Sequence, residues 1–359
     1  METRTRGTAP AGTAGATVGP LLAEIAAGGG IPPQSDAHRE AREQAYNLYS
    51  AAVGACLSRA DARPELRGRA AALLAEEARL PFLSPDGVDA VNAELPAVLA
   101  ALRAEPVPVP DGATPRDPGR VLDDADLGAL FDLALRDRLT GGAREHPRLL
   151  LLGGQPGAGK STLQRLLLPA LPEGAVSYDG DDLLRLAPDY EWAMAADDAV
   201  ASDSLARQVA GLHGLALEHV RSGRSDVVCS HPLGRADWAA SWVEGFREAG
   251  YRVEVAFVAT HSSNSRFAIA ERHARARAHQ GFGRVMSEAH HDRFYLGVPN
   301  TVEFLETHRL VDSLYVLSRD GDVLYANHLR DGDWRTEPFG RIALEAERGR
   351  RDLWRDAEG

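Results

Sequence analysis

Apolar residues recur at intervals of three and four between residue 37 and about residue 104, and this spacing predicts several amphipathic helices. The pattern is clearest over 45–56 and again over 88–102. Prolines then follow at alternate positions over 106–110, which excludes a continuing helix and predicts a linker or an extended arm. One more amphipathic helix is expected over 122–139.

Short apolar runs alternate with helical patterns from residue 148 onward, as is typical of an α/β protein with a mostly parallel sheet flanked by helices. A turn signal at 318–322 predicts a hairpin that adds a last strand over 323–326. The predicted strands and helices are, in turn, 149–152, 175–178, 226–229, 252–258 and 314–317, and about 161–168, 192–222 and 235–249.

These patterns divide the chain into four regions. Residues 1–35 are rich in Gly, Ala, Thr and Pro without an apolar period, so a disordered tail is expected there. An α-helical N-terminal region over 36–119 carries the proline-rich linker at its end. The α/β domain is expected over 120–335, and a C-terminal helical tail over 336–359.

Composition narrows the class of protein. Hydrophobic residues make up 44% of the chain, which is enough for a packed core, and the formal net charge of −12 argues against a nucleic-acid partner. Cys56 and Cys229 lie far apart, so neither a disulfide framework nor a zinc site is indicated. No apolar run approaches the ~18 residues of a membrane span. We therefore expect a cytoplasmic protein without a membrane partner.

The most specific motif surrounds Lys160, which is the only lysine among the 40 Lys and Arg residues of the chain. The sequence G-x-x-x-x-G-K-S stands between a predicted strand and a predicted helix, which is the context that favours a P-loop over a glycine-rich turn before an ordinary helix. Backbone N–H groups at such a helix N-terminus bind phosphates, and a compact ammonium reaches between the β- and γ-phosphates. We predict that ATP is bound by Gly154, Gln155, Pro156, Gly157, Ala158, Gly159, Lys160, Ser161 and Thr162, with the Ser161 hydroxyl on Mg²⁺.

A second candidate follows the second predicted strand as Asp179-Gly180-Asp181-Asp182. Ligands of open α/β sheets bind beyond the carboxyl ends of the strands, and phosphoryl transfer needs a base that orients the acceptor hydroxyl. The alternative is a solvated turn in which Asp182 caps a short helix. Its position downstream of the P-loop favours the functional interpretation.

A third candidate is an arginine-rich segment after the fourth predicted strand. Arginines that close over the γ-phosphoryl group stabilise its charge, whereas the alternative is a solvated basic helix face. We expect two or three of these arginines to be functional, and the interleaved histidines to lie at the surface or to support other residues without binding a metal. The segment contains Arg266, Arg272, Arg275, Arg277 and Arg284, with His273, His279, His290 and His291.

These motifs together resemble the zeta toxins and the related UDP-N-acetylglucosamine kinases of bacteria, over about residues 120–335. The resemblance implies a P-loop kinase domain that uses ATP and Mg²⁺ to phosphorylate the 3'-hydroxyl of an amino sugar in a nucleotide sugar, and a toxin that has an antitoxin protein as partner. It also implies that Asp181 is the base and that Arg272 and Arg284 grip the transferred phosphoryl group. The matching pieces are 153–161, Asp179-Gly180-Asp181 with Arg185, Pro188 and Tyr190, then Arg272, and Gly283-Arg284 with Glu288, His290, His291 and Asp292.

The chain departs from the family on the acceptor side. Ala187 stands where the family usually has histidine. After the third strand the family carries a glutamate and a threonine that hold the sugar nucleotide, and the corresponding stretch here is Ser230-His231-Pro232-Leu233. We expect Arg185, Ser230 and His231 to bind the acceptor.

Three functions follow from the sequence. The first is a kinase for a hydroxyl of a nucleotide sugar, with a toxin role. The second is a kinase for another acceptor, such as a nicotinamide dinucleotide or an antibiotic. The third is an NTP-dependent switch or binding module, which is disfavoured because switch NTPases generally carry a strand-end aspartate for Mg²⁺, whereas the third strand here ends in Cys229-Ser230.

Overall fold

A computed structural model describes residues 19–28, 35–109, 111–118 and 120–350 of the chain. Within these ranges seven strands form one sheet in the order β2-β3-β1-β4-β5-β6-β7. The first five strands pair in parallel, and the last two are antiparallel to their neighbours. The strands are β1 (Arg148–Gly153), β2 (Val176–Asp179), β3 (Val227–Ser230), β4 (Arg252–Val258), β5 (Ser313–Leu317), β6 (Val323–Arg330) and β7 (Asp333–Trp334).

Helices cover both faces of the sheet and form the N-terminal region. In the described ranges no helix is both long enough and apolar enough to cross a lipid bilayer. The helices are α1 (Leu21–Ala27), α2 (Asp36–Leu57), α3 (Glu65–Glu77), α4 (Pro85–Arg103), α5 (Asp124–Ala134), α6 (Lys160–Leu167), α7 (Tyr190–Ala196), α8 (Asp198–Gln208), α9 (Ala210–Gly223), α10 (Ala236–Glu248), α11 (Ser262–Gln280), α12 (Glu288–Thr307) and α13 (Gly340–Arg348).

The central strand β1 decides where the motifs meet. Its apolar run is buried throughout, as expected of a parallel strand that is covered on both faces. In the parallel register Leu152 pairs with Ser230, and Ser230 also pairs with Asp179. The strands β1, β2 and β3 therefore end together, and this brings the loops that follow them to the same edge of the sheet.

The α/β fold with a mostly parallel sheet is confirmed, and the predicted strands agree with the observed ones to within about two residues at most ends. The predicted hairpin is also present, although β6 continues to Arg330. The prediction of one helix over 192–222 is wrong, because this stretch contains α7, α8 and α9. The first break lies at Asp197. Its backbone is extended, and its side chain accepts the N–H of Ala199 at the start of α8.

The predicted disordered tail is also wrong in one segment, since Leu21–Ala27 form α1. Leu21, Leu22 and Ile25 are buried in the core layer on one face of the sheet. The helix begins where the Glu254 carboxylate accepts the N–H of Leu21, and burial raises the pKa of Glu254 to about 7. Three apolar residues in a short turn of helix give too weak a period to be recognised in the sequence. The rest of the predicted tail, 1–18 and 29–34, lies outside the described residues.

The N-terminal helices α2, α3 and α4 share one continuous apolar core with the α/β region. Buried ion pairs add to this contact, because Glu77 binds Arg185 and Glu191 binds Arg59. The boundary at residue 119 stays a prediction, but the residues on its two sides pack into a common interior.

Candidate active site

A cavity of about 440 Å³ opens at the edge of the sheet where β1, β2 and β3 end. The P-loop forms its floor, and α11 together with the segment after it forms one side. Eleven of the predicted site residues line this cavity. Residues predicted to bind ATP and residues predicted to bind the acceptor therefore face the same space. These eleven are Pro156, Gly157, Gly159, Lys160, Ser161, Thr162, Asp181, Ser230, His231, Arg272 and Arg284.

Two glycines allow the P-loop to take its shape. Gly157 and Gly159 have φ values of 76° and 104°, which favour glycine over other residues. A Cβ atom at Gly157 would also lie 2.2 Å from the carbonyl oxygen of Ser265. The helix α6 then begins at Lys160, so its first N–H groups face the cavity. The remaining predicted residues of the loop, Gly154, Gln155 and Ala158, shape it from behind and are not part of the cavity lining.

The ammonium group of Lys160 lies over the loop. Its Nζ donates to the carbonyl oxygens of Gly154 at 2.9 Å and Gln155 at 3.2 Å. Burial lowers its pKa to about 8, against the opposing effect of the Asp181 and Asp179 carboxylates. An incoming phosphate would offset that desolvation, so the site favours a polyanion.

Asp179 is a site residue that the sequence prediction did not assign. The Ser161 hydroxyl donates to its carboxylate at 2.6 Å, and the N–H of Asp181 donates to it at 3.0 Å. Burial and the neighbouring Asp181 and Asp182 raise its pKa. Its place as the last residue of β2 was the available signal, because that end of the strand faces the P-loop.

Asp181 meets one of the two predicted phosphoryl-binding arginines. Arg284 donates from Nη1 to its Oδ1 at 2.6 Å. The Arg284 charge, helped by Arg272 and Lys160, holds the pKa of Asp181 well below its usual range. Asp181 is therefore ionised at neutral pH and can accept a hydrogen bond from a hydroxyl group.

The other arginines of the segment are turned to other partners. Arg266 binds Glu288 and Asp292, and Arg275 binds Glu40 and Glu271, so these guanidinium groups form ion pairs on a solvated face of the helix. Arg277 lies 3.7 Å from Asp198. Two arginines of the cluster, Arg272 and Arg284, line the cavity, and their function stays a prediction.

Two of the histidines lie at the cavity or behind the P-loop. His290 lines the cavity. His291 is buried, and its ring nitrogens are hydrogen-bonded to the Ser265 hydroxyl at 2.8 Å and to Asp292 at 2.9 Å. Because Ser265 also supports Gln155 of the P-loop, His291 braces that loop from behind.

Arg185 requires a correction. Its two terminal nitrogens donate to the two carboxylate oxygens of Glu77 at 2.6 and 2.7 Å, and both side chains are buried. It lines a smaller adjoining cavity of about 180 Å³ rather than the main one. The predicted contact with an acceptor is thus replaced by an ion pair that fastens α3 to the segment after β2. Its partner lies 108 residues away in the chain, and no local pattern indicates this pair.

Arg348 of α13 is a further residue that the motifs did not indicate. It is buried, donates to the Gln155 side-chain oxygen at 2.6 Å, and stacks over the Tyr295 ring. Gln155 in turn donates to the carbonyl oxygen of Thr260 at 2.7 Å. The C-terminal helix therefore fixes the second residue of the P-loop motif.

We expect Arg348→Met to raise the KM for ATP about tenfold with a smaller change in kcat, because a hydrogen bond to a charged donor contributes about 1.5–3 kcal/mol. The measurement is steady-state phosphoryl transfer over a range of ATP concentrations. Arg341→Met is the matched control, since Arg341 lies on the same helix and pairs at the surface with Glu303 at 2.6 Å. An equal effect of both substitutions, or an unchanged KM in Arg348→Met, would contradict the role of Arg348.

Comparison with known proteins gives one family model that matches this chain and two solved structures that are similar to it. The model of the zeta toxin family matches residues 134–330, which is more than half of the 359 residues. A solved structure of the PezAT chromosomal toxin-antitoxin system of Streptococcus pneumoniae is similar at 18% identity and a TM-score of 0.49, covering 66% of this chain and 98% of that chain. The native AvrRxo1-ORF1:-ORF2 complex is similar at 17% identity and a TM-score of 0.44, covering 63% and 72%. No curated protein matches the chain.

The parallel sheet, the P-loop and the residues gathered above it define a protein of the P-loop kinase-like class. The match over residues 134–330 makes the assignment more specific. The chain belongs to the zeta toxin family.

Proposed function

We propose that this protein is an ATP- and Mg²⁺-dependent kinase that phosphorylates a hydroxyl group of a small acceptor, first of all a nucleotide sugar of the UDP-N-acetylglucosamine type. One observation carries the proposal. Lys160, Asp181, Arg272 and Arg284 line a single cavity on the P-loop, and this supports a mechanism in which they act as a phosphate-binding group, a base and two charge-stabilising arginines.

The donor groups next to the P-loop suit magnesium. The Ser161 hydroxyl and the Asp179 carboxylate lie 2.6 Å apart, and hard oxygen ligands of this kind are the ones that Mg²⁺ prefers. When bound, Mg²⁺ neutralises charge on the β- and γ-phosphates. Asp179 is proposed to hold the ion together with Ser161, which restores the ionised carboxylate that burial disfavours in its absence.

The transfer itself follows from the placement of the side chains. Asp181 accepts a hydrogen bond from the acceptor hydroxyl and then takes its proton, while the hydroxyl oxygen forms a bond to the γ-phosphorus and the bond from that phosphorus to the β-phosphate oxygen breaks. Lys160, Arg272 and Arg284 stabilise the negative charge on the transferred group. The products are ADP and the phosphorylated acceptor.

The departures from the family on the acceptor side support a second hypothesis. In it the protein is a kinase whose acceptor is another nucleotide, such as a nicotinamide dinucleotide, or an antibiotic. Ser230 and His231 line the cavity without a carboxylate of their own. A switch or binding module is less well supported, because Asp181 lines both the cavity on the P-loop and the smaller adjoining cavity, a position that suits contact with an acceptor hydroxyl.

The test is to incubate the purified protein with labelled ATP, Mg²⁺ and a bacterial metabolite extract, and to identify phosphorylated products by mass spectrometry. We expect one or a few products, led by UDP-N-acetylglucosamine phosphate, and none with Lys160→Ala. Transfer to a different acceptor alone would select the second kinase reading. ATP hydrolysis that needs a protein partner, with no phosphorylated metabolite, would overturn the kinase proposal in favour of a switch.

A toxin role in the cytoplasm, with an antitoxin protein as partner, is proposed from the family. Expression in a bacterial host should arrest growth, and Asp181→Asn should relieve the arrest. Arrest that persists in Asp181→Asn would separate any toxicity from phosphoryl transfer.

A further inference from the structure

Arg284 lines the main cavity from the turn that follows α11. We call residues 281–284 the arginine turn. The backbone of this turn decides where the guanidinium group of Arg284 can reach, because Arg284 is its last residue. A Cβ atom at Gly283 would lie 2.8 Å from the carbonyl oxygen of His273, so the turn lies directly against α11.

The first anchor of the arginine turn is Asp198, the first residue of α8. Its carboxylate is buried and accepts the N–H of Gly283 at 3.0 Å. The same oxygen lies 3.3 Å from His273 Nε2 and 3.7 Å from Arg277 Nη1. Asp198 does not line the main cavity. Its carboxylate therefore acts on the main chain next to Arg284 and not on a ligand.

The second anchor comes from the N-terminal helices. Arg103, the last residue of α4, donates from Nη1 to the carbonyl oxygen of Gln280 at 2.8 Å, and its guanidinium carbon lies 5.4 Å from the centre of the Phe282 ring. Phe282 is buried and packs edge-on against Tyr190, with ring centroids 5.6 Å apart. Arg103 is itself held by Glu191 at 2.5 Å. The start of the arginine turn is thus fixed to α4 and α7.

A turn that is anchored on both sides holds its arginine in place before any nucleotide arrives. Charges that are already in position stabilise a phosphoryl group without a cost of reorganisation at the moment of reaction. Arg284 is extended into the cavity in this way, 2.6 Å from the Asp181 carboxylate. A displacement of about 1 Å in such a group can lower a rate roughly 10²-fold. The anchors of the turn therefore bear on the chemistry without touching it.

We propose that Asp198 and Arg103 are positioning residues, which fix the arginine turn and thereby direct Arg284 to the γ-phosphate of the bound nucleotide. The proposal rests on the proposed kinase function. It also gives the N-terminal helices a part in that function, because Arg103 lies outside the residues 134–330 that match the family.

The experiment measures how much the γ-phosphate contributes to binding, which needs no turnover. Calorimetry of the full chain with Mg²⁺ gives the affinities for ADP and for a non-hydrolysable ATP analogue, and the ratio of the two reports on contacts with the γ-phosphate. We expect Asp198→Ala and Arg103→Met each to lower the preference for the analogue at least about fivefold, while the affinity for ADP changes less than about twofold. The retained affinity for ADP shows that each variant folds.

Two further variants separate the main-chain contact from other effects. Asp198→Asn should keep most of the parent preference, because an amide oxygen can still accept the N–H of Gly283. Arg277→Met is the matched control, since this exposed arginine meets Asp198 only at 3.7 Å, and we expect the parent preference there. Arg103→Met leaves no carboxylate unpaired, because Glu191 keeps Arg59 as its partner.

A double-mutant cycle with Arg284→Ala distinguishes positioning from a general structural effect. If both anchors act through Arg284, adding Asp198→Ala or Arg103→Met to Arg284→Ala should change the preference by less than about twofold. The proposal would be overturned by an unchanged preference in either single variant, by a full further loss in the Arg284→Ala background, or by a parent protein that binds ADP and the analogue equally. Expected ratios in a protein that transfers phosphate to no acceptor would contradict the kinase function alone.

Discussion

Lys160→Ala is expected to reduce phosphoryl transfer at least about 10³-fold, to the background of the assay. No second lysine exists in the chain to substitute for it. The cradle of main-chain N–H groups would remain, but the charge between the β- and γ-phosphates would be lost. The measurement is single-turnover transfer from labelled ATP, with thermal unfolding of the variant followed in parallel to show that it folds.

Lys160→Arg is the matched variant, since it keeps the charge and changes the shape. A planar guanidinium cannot take the place of an ammonium that lies within 2.9 Å of the Gly154 carbonyl oxygen, so we expect a loss close to that of alanine. Transfer by Lys160→Ala above about a tenth of the parent rate would refute the P-loop assignment of this lysine.

The pKa of Lys160 adds a signature of its own. Burial lowers it to about 8 without nucleotide, and a bound polyphosphate should raise it. Nucleotide binding at about pH 8 should therefore take up protons, and affinity should fall as the pH rises through that value. Calorimetric titrations in two buffers of different ionisation enthalpy measure the uptake. Proton uptake that persists in Lys160→Ala would assign it to another group.

Asp181→Asn is expected to lower transfer by about 10²-fold or more, while the affinity for ATP changes little. The amide keeps the size of the side chain but cannot take the proton of the acceptor hydroxyl. Single-turnover rates and calorimetric ATP affinity are the two measurements. Asp182→Asn is the control, because Asp182 is adjacent, lines the smaller cavity and lies 4.0 Å from Arg185.

The Arg284 contact makes the affinity measurement decisive. Removing the Asp181 charge leaves Arg284 without its 2.6 Å partner, and this frees the arginine for phosphate. ATP affinity should therefore be maintained or increase slightly. A fall in ATP affinity as large as the fall in rate would count against Asp181 as the base.

The strands and the P-loop were readable from the sequence because local patterns specify them. A buried apolar run such as 149–152 and a glycine-rich motif with φ values above zero are determined by neighbours in the chain. Helix α1 was missed because its three buried apolar residues are too few to show a helical period. They are buried only because the helix packs against the sheet. The break at Asp197 was missed because an aspartate cap inside a helical pattern is a weak signal.

The site was readable to the extent that its residues follow strand ends or belong to a motif. Asp181, Arg272 and Arg284 line one cavity, and the roles that the resemblance implies for them stay predictions. Arg185 and Arg348 show the limit, since long-range partners determine what each guanidinium does. Glu77 lies 108 residues from Arg185, and Gln155 lies 193 residues from Arg348. No local period encodes such pairs.

The contacts between the N-terminal helices and the kinase region limit how the two regions could be separated in evolution. A gene shortened to begin near residue 120 would remove Glu77 and Arg59, the partners of Arg185 and Glu191, and would expose to water the apolar core that the two regions share. Recombination could therefore discard this helical segment only together with substitutions that make the uncovered surface polar, so the two regions are expected to be inherited as one unit.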